Sequence, residues 1–175
     1  MTRYLCILLT GLAIGMICGA AAPPGGPANA KAVTETGGLW TDKDGVPTYH
    51  IAKDGTVDWG TFVGYLRYNS ICLVCHGPDG SGSSYAPALA DSVRHLTYAQ
   101  FLATVAGGKR SVSASQDLVM PAEGMNKNVM CFINEIYSYL RARSTGALGR
   151  GRPEKHAPAP KGFNKVSYEC LGIPQ

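Results

Sequence analysis

Polar residues alternate with short apolar runs along most of the chain, and three stretches carry the spacing of an amphipathic helix. In "DWGTFVGYLRYNSI" the apolar positions are Phe62, Val63, Leu66, Tyr68 and Ile71, close to a 3.6-residue period, with Asp58 placed to cap the first turn. In "LTYAQFLATVAGG" they are Phe101, Leu102 and Val105, bounded by Thr97 as cap and Gly107 as terminator. The third and longest stretch is "NVMCFINEIYSYLRAR", with Asn128 as cap and Met130, Ile133, Ile136, Tyr137 and Leu140 on one broad face. Period-two alternation is scarce. The exception is "VPTYHIAKDGTVDW", where two short runs flank the Asp54-Gly55 turn signal and predict a small hairpin. A mainly α domain with long loops is therefore expected. Beyond Arg143 the sequence turns Gly-, Pro- and Lys/Arg-rich and reads as an extended basic tail, tethered near Cys170.

The first thirty residues follow a different pattern. Arg3 precedes an apolar run from Tyr4 to Met16 and then small residues, the shape of an export signal, with cleavage expected after Ala30 in "ANA". The run is too short, and too broken by Gly11 and Gly15, to favour a spanning helix. Export places the mature chain in the periplasm. The expected division is 1–30 signal, 31–57 extension with the hairpin, 58–143 core domain and 144–175 tail.

Composition changes this picture little. The full chain of 175 residues carries a formal charge of +4, of which Arg3 contributes one, too mild a balance to imply nucleic acid. From Arg141 to Lys165, however, basic residues outnumber acidic ones heavily. That run reads either as a solvated tail or as an arm steering an acidic partner. The cluster Asp42, Asp44 and Asp54 lacks the alternation and terminal Glu of a calcium loop and is read as turn chemistry.

Chemistry concentrates in "CLVCHG". Cys72 and Cys75 stand two residues apart with His76 directly after. Zinc would need two more ligands at metal spacing, and neither His50, His95 nor His156 offers them. A dithiol redox pair would lie between a strand and a helix, whereas this pair ends a helix. Covalent haem meets each constraint: two thiols for two vinyl groups, an adjacent imidazole for the iron, and an exported chain. With Cys72 and Cys75 so used, Cys131 and Cys170 are left either as free thiols or as a disulfide, worth ~3–4 kcal/mol by the chain-entropy model. For the sixth iron position Met120, stiffened by Pro121 in "LVMPAEG", is expected to serve, with Met130 and then Met125 as the alternatives. An iron left open there, with His95 as a distal group, would instead make a five-coordinate enzyme or gas sensor.

These residues resemble the class I cytochromes c. "GYLRYNSICLVCHG" is similar to that family's N-terminal helix and "IYSYLRAR" to its C-terminal helix, with Tyr139-Leu140 crossing the first helix near Gly64. "YAPAL" resembles the loop after the haem, in which the carbonyl of Pro87 would accept from the His76 ring. The resemblance implies about three to four helices around one covalent haem c. With "DWGTF", "CHGPDGSGSSYAPAL" and "VMPAEGMNKNVMCFINEIYSYLRARSTGALGRGRPEKH", it narrows to the four-cysteine cytochromes of methanol metabolism, although Glu123 stands where an aromatic is expected. Those are electron acceptors of quinone-dependent (PQQ) methanol dehydrogenases, particularly the lanthanide-dependent type. The implied role is a monomeric electron carrier, not an enzyme, between a quinoprotein alcohol dehydrogenase and a downstream cytochrome or oxidase. A fixed cytochrome subunit of a larger dehydrogenase complex is the other arrangement the resemblance allows.

Overall fold

The computed structural model describes residues 31–114 and 116–174; the export signal and its cleavage after Ala30 lie outside the described residues. Two helices organise the rest. α1 (Trp59–Arg67) starts where Asp58 accepts a hydrogen bond from the Thr61 amide, as its cap pattern predicts. It crosses α6 (Ile133–Ser144), a helix so enclosed that Ile136, Tyr137, Ser138, Tyr139, Leu140, Arg141 and Ala142 are all buried.

The crossing is close because Gly64 has no side chain. A Cβ there would stand 1.9 Å from the Glu135 carbonyl oxygen and 2.9 Å from the Tyr139 Cβ. Tyr139 then fills the space beside the glycine, edge-on to Tyr65 with ring centroids 5.7 Å apart. Leu66, assigned to the apolar face by its spacing, is exposed instead. The helix rotates at that point: five residues, Tyr68–Cys72, form a π-helical turn before α2 (Leu73–His76).

Around this pair lie α3 (Leu89–Ser92), α4 (Tyr98–Gly107) and α5 (Lys127–Met130). Thr97 and Gln100 form a full capping box at α4. The helix ends one residue later than expected, on Gly108 at φ 73° and not on Gly107. The predicted third helix is two. Its cap is Asn126, not Asn128, and the non-helical Phe132 breaks it, held under the Arg67 guanidinium 3.6 Å from the ring centroid.

More strand is present than the alternation predicts. β1 (Thr34–Thr36), β2 (Leu39–Thr41) and β3 (Pro47–Thr48) make an antiparallel meander, and the hairpin expected around Asp54-Gly55 reduces to one bridge between Ile51 and Val57. The meander docks on α6 through a buried ion pair. The Arg141 guanidinium donates to Asp42 at 3.3 Å and to the Pro47 carbonyl at 2.8 Å, with the two side chains 1% and 5% exposed. A second hairpin, β4 (Lys109–Val112) with β5 (Asp117–Met120), lies on the surface.

The basic tail is neither extended nor tied down only at Cys170. Val57 pairs with it, donating to the Lys155 carbonyl and accepting from the Ala157 amide, and His156 stacks on Phe62 with centroids 3.7 Å apart. It then forms α7 (Phe163–Leu171), joined to the C-terminal end of α5 by the Cys131–Cys170 disulfide. Several of its cations have partners within the molecule, though most stay exposed. Arg143 donates to the Asp79 and Leu148 carbonyls, Arg150 pairs with the Asp79 carboxylate, and Arg152 lies over Phe62. A free steering arm is thus not what this segment forms.

Candidate haem site

The motif sits where α1 runs out. The π-helical turn delivers Cys72 half-buried and packed against the core, while Cys75 is exposed three residues on, and these are the free cysteines among the described residues. Burial, then the Glu123 and Cys75 charges, push the Cys72 thiol up to about 11. A dithiol exchange site needs the reverse, a thiol lowered toward neutrality. Among the described residues no group of three or more His, Cys, Asp or Glu is placed to hold a metal ion.

His76 closes α2 and is 6% exposed. Its Nδ1 stands 3.0 Å from the Pro87 carbonyl oxygen. A carbonyl can only accept, so Nδ1 carries the proton and Nε2 is the nitrogen left for a metal. The loop between the two residues is tied on both sides. Gly82 donates to the His76 carbonyl at 2.8 Å, and the Tyr68 hydroxyl, whose pKa burial raises to about 12, donates to the Gly77 carbonyl at 2.6 Å. Asp79 anchors the far end: its backbone holds φ 58°, and its carboxylate accepts from the Gly151 amide and Arg150.

The three methionines separate by position. Met125 is 96% exposed in the turn before α5, and Met130 is partly buried on α5 against the core. Met120 is also partly buried against the core, but it ends β5 instead of lying in a plain loop, paired in register with Lys109. His95 is exposed in the turn ahead of the Thr97 cap, away from any buried polar setting. Two residues that shape the site carry no signal in spacing or composition: Asp79, whose role depends on a loop about seventy residues later, and Gly108, which abuts Met120.

The donor set fits a covalently bound haem. Two unpaired thiols one helical turn apart suit two vinyl groups, a buried imidazole presents one fixed nitrogen, and a thioether lies on a separate element. Among the described residues no helix is long and apolar enough to cross a membrane.

No protein-family model matches the chain. Cytochrome c-553I of Paracoccus denitrificans is 52% identical over 134 residues, which are 77% of this chain but only 59% of that protein's length. Cytochrome c-555 of Methylococcus capsulatus is 34% identical over 105 residues, 59% of this chain and 79% of that one. Among solved structures, the c-type cytochrome XoxG of Methylobacterium extorquens AM1 superposes with a TM-score of 0.74 at 52% identity, covering 81% of this chain and 87% of its own. A fold and a sequence shared with cytochromes along most of their length, on a chain whose paired thiols abut a fixed imidazole, put it in the c-type cytochrome family, with haem bound covalently.

Proposed function

We propose that the protein is a single-haem periplasmic electron carrier, taking electrons from a PQQ-dependent methanol or alcohol dehydrogenase and passing them to a downstream cytochrome or oxidase. The observation that carries this reading is the His76–Pro87 contact at 3.0 Å, which leaves one imidazole nitrogen oriented for iron at a paired-cysteine motif. Cys72 and Cys75 would hold the haem by thioether bonds, and His76 and Met120 would ligate its iron. When bound, the haem supplies a one-electron couple at its iron. The chain's part is to hold both axial groups in place in either oxidation state, so that little reorganises as the electron passes. Burial of His76 keeps water from the proximal side, and the neutral thioether of Met120 favours a raised potential.

The dehydrogenase as donor is supported by the sequence features shared with the methanol-linked cytochromes and by the likeness to XoxG. Docking falls to the surface around the motif. Val74 inside it, and Tyr85 on the segment leading to Pro87, are 76% and 72% exposed. A small, partly apolar patch of this kind suits a transient redox partner, met by a monomer. Residues 1–30 serve as the export signal, 58–143 carry the haem, and 31–57 with 144–175 brace them.

The test is the optical spectrum of the purified periplasmic protein, with reduction by a PQQ methanol dehydrogenase followed by stopped flow. A weak sulfur-to-iron band at the red end of the oxidised spectrum, lost in Met120→Ala, and no response of the reduced protein to carbon monoxide are expected. Ready binding of carbon monoxide by the wild type overturns the carrier reading in favour of an open iron.

A further inference from the structure

Apart from Met120 itself, which packs partly against the core, the hairpin that ends in Met120 has little side-chain packing to place it. β4 is exposed along its whole length, and the ion pair across the hairpin, Arg110 to Asp117, is exposed on both sides. The segment around Met120 is otherwise held by backbone. The C-terminal end of α4 reaches the segment after Met120 twice: the Glu123 amide donates to the Val105 carbonyl at 2.9 Å, and the Gly124 amide to the Ala106 carbonyl at 3.0 Å. Between those bonds and the Lys109–Met120 pair, Gly108 lies flat against the methionine's own backbone. A Cβ on Gly108 would stand 2.7 Å from the Met120 carbonyl oxygen, 2.9 Å from the Ala122 amide nitrogen and 3.0 Å from the Pro121 carbonyl carbon. A Cβ on Gly124 would stand 2.9 Å from the Ala106 carbonyl oxygen.

All four contacts are with backbone atoms, which cannot swing aside as a flexible side chain does. The two strands of chain therefore lie as close as unsubstituted backbone allows, and anything larger than hydrogen at either glycine must push residues 120–124 away from α4. We propose that Gly108 and Gly124 form a backbone clamp that sets the position of Met120 and so the strength of its thioether as an iron ligand. They are positioning residues and touch the haem nowhere in this argument. The inference rests on the reading of Met120 as the sixth ligand, and it adds what decides how firmly that ligand is held.

The experiment compares oxidised holoprotein of the wild type, Gly108→Ala, Gly124→Ala, Gly55→Ala and Met120→Ala. Two quantities are read: the red-end sulfur-to-iron band, and the dissociation constant of added imidazole, which must displace the thioether to bind. Gly108→Ala and Gly124→Ala are expected to weaken the band and to tighten imidazole binding roughly tenfold, about 1.4 kcal/mol of lost ligand strength. Gly55 is the control, because it too has a positive φ, 84° against 73° at Gly108, yet a Cβ there meets nothing within 4 Å. Gly55→Ala should match the wild type in both readings. Gly124 has no left-handed φ, so Gly124→Ala isolates the contact from strain and decides the matter if Gly108→Ala fails to fold. Wild-type band and affinity in Gly124→Ala overturn the clamp, as does an equal loss in Gly55→Ala. A band that survives Met120→Ala overturns the ligand assignment itself.

Discussion

The two residues proposed to ligate the haem iron are held by opposite means. His76 is held by the core: it ends a helix continuous with α1, is buried, and has its ring fixed by the Pro87 carbonyl. Met120 is only partly buried against the core, at the end of a four-residue strand whose partner is exposed throughout. A ligand embedded in the core shares the stability of the whole fold, whereas a ligand on a surface hairpin can be released by a local opening that costs far less. If His76 and Met120 are the iron ligands as proposed, the comparison places the weaker bond on the methionine side and makes that side the place where properties can change without loss of the fold.

The largest effect expected comes from the buried pair that braces α6. Asp42→Ala leaves the Arg141 charge buried with its carboxylate removed and should cost about 3–5 kcal/mol in chemical denaturation, loosening both sides together. Gly64→Ala comes next. Its Cβ meets the Glu135 carbonyl at 1.9 Å, and prying α1 from α6 should cost about 1–3 kcal/mol, felt at the His76 side because the motif continues α1.

A smaller effect concerns pH. Burial raises the Glu135 carboxyl to about 7, well above its ordinary value near 4.5, with the nearby Arg67 charge only partly offsetting it. In that window the folded state holds a proton that the unfolded state has released, so stability falls as pH rises from about 4.5 to 7. Glu135→Gln should flatten that slope, matching the wild type at pH 4 and exceeding it at pH 8 in melting temperature. Arg110→Ala should have the least effect. The pair it breaks with Asp117 is fully exposed, so the unfolding midpoint should not move, and a weakened red-end band in that variant would show that side chains as well as backbone hold the hairpin.

What could be read from the chain divides along similar lines. The motif, the Asp58 and Thr97 caps and the Cys131–Cys170 pairing rest on short spacings or on a count of thiols, the glycine crossing on the resemblance to the class I cytochromes c, and the structure has them. The strands were illegible because they are two to four residues long, and β4 is exposed on both faces, so no alternation arises. α7 was illegible because it buries none of its residues and depends on a covalent bond to the end of α5 for its place. Arg141 and Arg143 look like tail charge in sequence and become internal braces only once α6 is enclosed. Gly108 lies among many glycines, and nothing local distinguishes the one that abuts Met120.

The disulfide has one more consequence. Because it joins residues 39 apart, a protease that cuts once in the exposed turns after α6, near Gly146 or Gly151, leaves both pieces in a single particle. Such nicked molecules would migrate intact on a gel until a reductant is added, then separate into a haem-bearing fragment and a colourless one.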